Sequence, residues 1–152
     1  MSIFTREQAV SLLEIIGQET KLFEQIYKLT EEQAELVSTD EIEAFSESLD
    51  RRQELMEKIN GLHQEYQSLM QSYISYYNSP NGKKVKSIEQ AEKKLRDLIT
   101  ASAELNDKNT LAAQEKADSY KDRIGKLSIS RKSIGSYIQA VGTESELFDK
   151  KM

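Results

Sequence analysis

No cysteine occurs in this 152-residue chain, so disulfides, thiolate metal sites and cysteine nucleophiles are excluded from the start. A single histidine, His63, leaves no histidine pair, no facial triad and no HExxH zinc site. Gly-rich phosphate loops and the Glu-x-x-His repeats of di-iron bundles are absent as well. One proline and six glycines mean that little interrupts a helix. No stretch approaches the roughly 18 uninterrupted apolar residues of a membrane span, and no basic region followed by an apolar run opens the chain. Neither membrane insertion nor a signal peptide is therefore expected, and the cytoplasm is the default location. Lys83, Lys84 and Lys86 are a brief basic cluster without interleaved aromatics, so no nucleic-acid partner is expected. With nucleophile, base and metal constellations all missing, an enzyme is not expected, and no cofactor or metal is implied.

What is present is charge and helical periodicity. Charged residues make up 31% and hydrophobic residues 38%, enough for an elongated core but lean for a compact globule. Residues 1–79 carry 6 Lys/Arg against 15 Asp/Glu, whereas residues 80–152 carry 15 against 11. An acidic front half and a basic back half attract each other when folded side by side, which favours an intramolecular bundle.

The strongest periodic signal lies between Ile42 and Tyr77. Steps of three and four residues give Ile42, Phe45, Leu49, Arg52, Met56, Ile59, His63, Tyr66, Met70, Tyr73 and Tyr77, a heptad seam with two polar members, Arg52 and His63. Leu55, Leu62, Leu69 and Tyr76 form a second file beside it, so the apolar face is wide enough for two neighbouring helices. Before it, Thr5 and Gln8 have capping-box spacing and open a helix over about residues 5–37 with Leu12, Leu13, Ile16, Leu22, Phe23, Ile26, Leu29 and Leu36 at helical period. Ser38, Thr39 and Asp40 make a short polar break, with Ser38 and Glu41 as a second capping box, and a break this brief implies an antiparallel hairpin with a helix over about 40–77. Asn78–Gly82, containing Pro80 and the turn pair Asn81-Gly82, ends that helix.

A third helix is expected over about 87–141, with Ser87 and Gln90 as its capping box. Its stripe of Ile88, Ala91, Leu95, Leu98, Ser102, Leu105, Asn109 and Ala112 thins to small and polar residues, then recovers in a shifted frame through Ala117, Tyr120, Ile124, Leu127, Arg131, Ile134, Ile138 and Val141. Such a shift reads as a stutter or a bend. The expected architecture is all-α: an elongated antiparallel helical hairpin plus a long third helix, in a single domain with a flexible tail at 142–152. A third helix of that length would span about 82 Å at 1.5 Å per residue, against about 50–54 Å for the first two. Its later stripe is then left for a partner to cover, or bends back as a fourth helix. Tyr66, Tyr73, Tyr76 and Tyr77 crowd the end of the second helix, as core and boundary packing or as an amphipathic patch for a partner.

Three stretches carry a likeness to a known family: "LLEIIGQETKLFEQIYKLTEEQAELV", then "STDEIEAFSESLDRRQELMEKINGLHQEY" with its Arg51–Met56 block, then the tail "SIGSYIQAVGTESELFDKKM". Over nearly its whole length the chain resembles the FlgN family of flagellar export chaperones, in the form seen in Gram-positive bacteria. That resemblance implies a cytoplasmic type III export chaperone that binds the C-terminal helices of hook–filament junction proteins, prevents their premature assembly and delivers them to the export gate. It further implies client binding by the C-terminal helix and contact of Tyr137 with the gate's cytoplasmic domain. On the length mismatch, the expected client-facing residues are Tyr120, Ile124, Leu127, Ile134 and Ile138. The alternative is a structural coiled coil whose exposed stripe self-associates into a homodimer without client delivery.

Overall fold

The computed structural model describes residues 3–123, and among them stand three α-helices: α1 (Arg6–Ser38), α2 (Ile42–Tyr77) and α3 (Lys86–Arg123). The all-α class is as expected. The stretch 124–141, assigned from periodicity to the third helix, and the tail after it lie outside the described residues.

The first helix starts as its sequence dictates. The Thr5 amide donates to Gln8 Oε1 at 2.9 Å and the Gln8 amide to Thr5 Oγ1 at 3.0 Å, a reciprocal capping box. The other two expected boxes do not form the boundaries. Ser38 belongs to α1, where its hydroxyl donates back to the Glu35 carbonyl at 2.9 Å. The turn is closed by Asp40 in the left-handed region (φ 58°), with the Glu41 amide on Leu36 O at 3.0 Å and the Asp40 amide on Val37 O at 3.3 Å. That six-to-one and five-to-two pair is a Schellman closure, which satisfies the last carbonyls of α1. It makes the break a C-terminal device of α1 rather than an N-terminal device of α2. Likewise α3 begins at Lys86, with the Glu89 amide on Val85 O at 3.0 Å. Ser87 therefore sits inside the first turn instead of capping it.

Between α2 and α3 the chain turns tightly. The Ser79 amide donates to Tyr76 O and the Gly82 amide to Ser79 O, both at 3.0 Å. A Cβ placed on Gly82 would lie 1.7 Å from the Tyr76 carbonyl oxygen. No glycine among the described residues has positive φ, so it is the close approach of the Tyr76 backbone that requires glycine here.

The described chain divides into two compact units, and each helix contributes to both. Unit 1 comprises residues 3–25 and 57–100; unit 2 comprises residues 26–56 and 101–123. In unit 1 all three helices bring large apolar side chains to the core: Leu12, Ile15, Ile16 and Phe23 from α1, Ile59 and Tyr73 from α2, Ile88 and Leu95 from α3. In unit 2 the buried residues include Ile26, Leu29, Val37, Phe45 and Met56 from α1 and α2 and Ser102, Ala103, Asn106, Asn109, Ala113 and Ala117 from α3. Burying an alanine methyl contributes about 0.8 kcal/mol, against about 1.5–3 kcal/mol for a leucine, isoleucine or phenylalanine. The apolar hold on α3 is therefore weaker in unit 2. The buried positions Asn109, Ala113 and Ala117 follow two consecutive steps of four, which is how the shifted frame is accommodated: α3 runs unbroken through it as a stutter.

Candidate partner-binding surfaces

Among the residues expected to meet a partner, Tyr120 lies in the last turn of α3, while Ile124, Leu127, Ile134, Tyr137 and Ile138 fall outside the described residues. The described part of α3 leads directly to them. Ala113 and Ala117 pack with Val37 and Phe45, bordered by Leu36, Ile42, Leu49 and Ala112, and Lys116 Nζ stands 3.1 Å from Asp40 Oδ1 in the α1–α2 turn. By Ala117, α3 has thus reached the level at which the hairpin reverses.

The tyrosine-rich end of α2 is engaged internally. Tyr73 is fully buried, its hydroxyl accepts the Val85 amide at 2.9 Å, and its ring lies 5.4 Å from Phe4 and 5.0 Å edge-on from Tyr77. Tyr76 stacks on Phe4 at 6.0 Å, and Lys84 Nζ sits 5.1 Å above the Tyr77 ring. Burial raises the Tyr73 phenol above its ordinary value, opposed by the hydrogen bond from Val85. Of the two readings of this cluster, packing describes the contacts observed: the rings fasten the N-terminal segment and the α2–α3 connection to α2.

Tyr66 stacks on His63 at 5.7 Å and donates its hydroxyl proton to Glu92 Oε2 at 2.6 Å. Desolvation, then the hydrogen bond and the charge of Glu92, push its phenol far above the ordinary value, so it stays neutral. Glu92 in turn holds Arg96 at 3.0 Å, which raises that guanidinium further. His63 Nδ1 is 3.7 Å from Glu19 Oε1, an ion pair when the imidazole carries its second proton. Glu19 is only 1% exposed, a carboxylate on the inward face of α1. Its position among the helices is dictated by the period of α1, one turn after Ile15 and Ile16.

Unit 2 contains a polar layer that periodicity alone did not reveal. Arg52 is fully buried and donates through Nη1 to Asn106 Oδ1. Asn109 Nδ2 donates to the Thr30 carbonyl at 2.8 Å, and the Thr30 hydroxyl returns a bond to Ile26 O at 2.7 Å. Gln33, Ser48 and Ser102 complete the layer. The available signal was Arg52 standing at a seam position opposite a stripe that thins to Ser102 and Asn109. Buried polar groups of this kind specify register at some expense in stability.

Among the described residues no three His, Cys, Asp or Glu side chains converge as a metal site. No helix among them is long and apolar enough to cross a membrane. An open depression of about 570 Å³ at the start of α2 is lined by Asp40, Glu41, Ile42, Glu43, Ala44 and Glu47. It is acidic and shallow, with no nucleophile or base pair in its walls. Compared with family models, curated proteins and solved structures, the chain finds no match.

Proposed function

We propose that this protein is a helical export chaperone of the flagellar type, binding C-terminal helices of hook–filament junction proteins in the cytoplasm and delivering them to the export gate. The observation that carries the reading is how far along α3 the described packing against the hairpin runs. Ala113 and Ala117 are packed against Val37 and Phe45, and Lys116 reaches Asp40 in the α1–α2 turn. The apolar residues Tyr120, Ile124, Leu127, Ile134 and Ile138 recur at helical spacing after Ala117, the last buried α3 residue among those whose burial is described. An apolar stripe that a chain's own core leaves uncovered is a surface for a partner helix, and that is the role proposed for this one. Tyr137, within the same stretch, is the residue proposed to touch the gate.

Calorimetry of the chain against synthetic C-terminal peptides of junction proteins tests this. Truncation at Asp118 is expected to abolish binding while leaving the described bundle folded; undiminished binding would refute the assignment. Ile138→Ala is expected to weaken peptide binding with little change in thermal stability. Sedimentation separates the alternative: a tight, concentration-independent homodimer indifferent to these peptides indicates a self-associating coiled coil.

A further inference from the structure

The second half of α3 is held in unit 2 by side chains that fill little space. Its buried residues are Ser102, Ala103, Asn106, Asn109, Ala113 and Ala117, and of its two leucines Leu105 is half-buried while Leu111 is 61% exposed. The remaining tethers are polar: Asn109 to the Thr30 carbonyl, Asn106 to Arg52, and Lys116 to Asp40. Water replaces such bonds at small net loss when a helix lifts away.

Two further observations concern what this face of α1 and α2 could accept. The Nε2 of Gln33, one turn after Thr30, makes no hydrogen bond, and neither does Ser102 Oγ, although both residues are essentially buried. Buried donors left unmatched make the closed arrangement one that a better-fitting occupant can improve upon. The flanks are acidic too: residues 26–56 hold nine Asp/Glu against three Lys/Arg, and Asp40, Glu41, Glu43 and Glu47 line the open depression at the start of α2.

We infer that the α1–α2 face of unit 2 is a helix-receiving groove which residues 101–117 fill as an exchangeable strap, and that its exchange partner is an amphipathic helix with an aliphatic stripe and lysines or arginines on its flanks. Large aliphatic groups replace the alanine, serine and asparagine of the strap, and the basic flanks meet the acidic rim. This groove is built from residues 26–56 and does not depend on the export reading.

Native-state hydrogen exchange on the full chain tests it. In the absence of any partner, amides of residues 101–117 are expected to exchange about tenfold or more faster than those of residues 88–99. The probe is a synthetic peptide of residues 101–118 carrying Ser102→Leu, Asn109→Leu and Ala113→Leu. It keeps Asn106 for Arg52 and keeps Lys108 and Lys116 for the acidic flanks; the unaltered peptide is the control. In excess, the leucine peptide is expected to speed exchange of the chain's own 101–117 about tenfold further while 26–56 stays protected, and the control peptide is not. In this cysteine-free chain a Val37→Cys/Ala117→Cys pair, drawn from one buried cluster, is expected to abolish the effect when oxidised and restore it on reduction. Equal exchange in the two halves of α3, or no change in 101–117 with the leucine peptide, overturns the inference. If the double variant does not fold, the wild-type measurements decide alone.

Discussion

Replacing a glycine by alanine is expected to have opposite effects at two kinds of site in this chain. At Gly82 the new Cβ would stand 1.7 Å from the Tyr76 carbonyl oxygen and 2.7 Å from its carbon, where real contacts stay above 3.0 Å. The obstacle is backbone, so it cannot swing aside like a side chain. That carbonyl also takes the Ser79 amide at 3.0 Å and the Ser79 hydroxyl, so moving it disturbs two bonds that close the end of α2. Overpacking of this kind costs about 1–3 kcal/mol, and each disturbed bond about 0.5–1.5 kcal/mol. With partial relaxation, Gly82→Ala is expected to destabilise by about 2–4 kcal/mol. For a chain of this size that lowers the thermal midpoint by about 4–16 °C. Gly17 and Gly61, by contrast, sit within α1 and α2 with nothing within 4 Å of a new Cβ. Alanine there restores helix propensity and should stabilise by about 0.5–1 kcal/mol each. Urea and thermal denaturation of the three variants read the sign directly. A Gly82→Ala protein within about 0.5 kcal/mol of the parent would refute the argument from space. A loss at Gly17 or Gly61 would show that those positions are packed.

Three further outcomes follow from the cores and their polar contacts. Phe45→Ala and Ile59→Ala remove large side chains from buried positions and should each cost about 2–5 kcal/mol in thermal melts; losses below about 1 kcal/mol would place them at the surface. Asn106→Ala removes an acceptor of the buried Arg52 and should cost about 1.5–3 kcal/mol, as expected for a bond to a charged group; a neutral result in urea unfolding would show that this bond adds nothing to stability. Tyr66 binds its proton more tightly in the folded chain than in the unfolded one, because burial and Glu92 oppose the phenolate. The stabilisation is therefore complete below the ordinary value of 10.0 and declines progressively as the pH rises from there towards the higher value of the folded chain. Between about pH 9 and 11 the parent should lose more stability than Tyr66→Phe, and equal losses would show that Tyr66 titrates normally.

Helix content and both interhelical breaks among the described residues were legible without coordinates, because a stripe at helical period and a proline-glycine connection are local signals. The Thr5–Gln8 box formed as its spacing indicates. Ser38 and Ser87 had the same spacing but not the role, since a serine at a helix junction serves the preceding carbonyls or the following amides according to where the backbone turns. Here the left-handed Asp40 and the Val85 carbonyl decided the matter. The candidate client stripe rests on counting helical rises and lies, apart from Tyr120, outside the described residues; the proposed strap had no such signal, because a run of alanine, serine and asparagine reads the same on a solvated face as in a core.

What the amino-acid order determined by itself is the set of helices, the width of the α2 face and the weakness of α3 after Leu105, all properties of neighbours within about one turn. What only the tertiary structure decided is which polar residues those helices bury against one another. Glu19 and Arg52 occupy positions where the helical period turns them inward, and partners distant in sequence, His63 and Asn106, meet them there. The same holds for Gly82, whose side chain is forbidden by a carbonyl brought close by the fold of the loop. Burial and close approach are sums over segments far apart in the chain, so no local pattern encodes them.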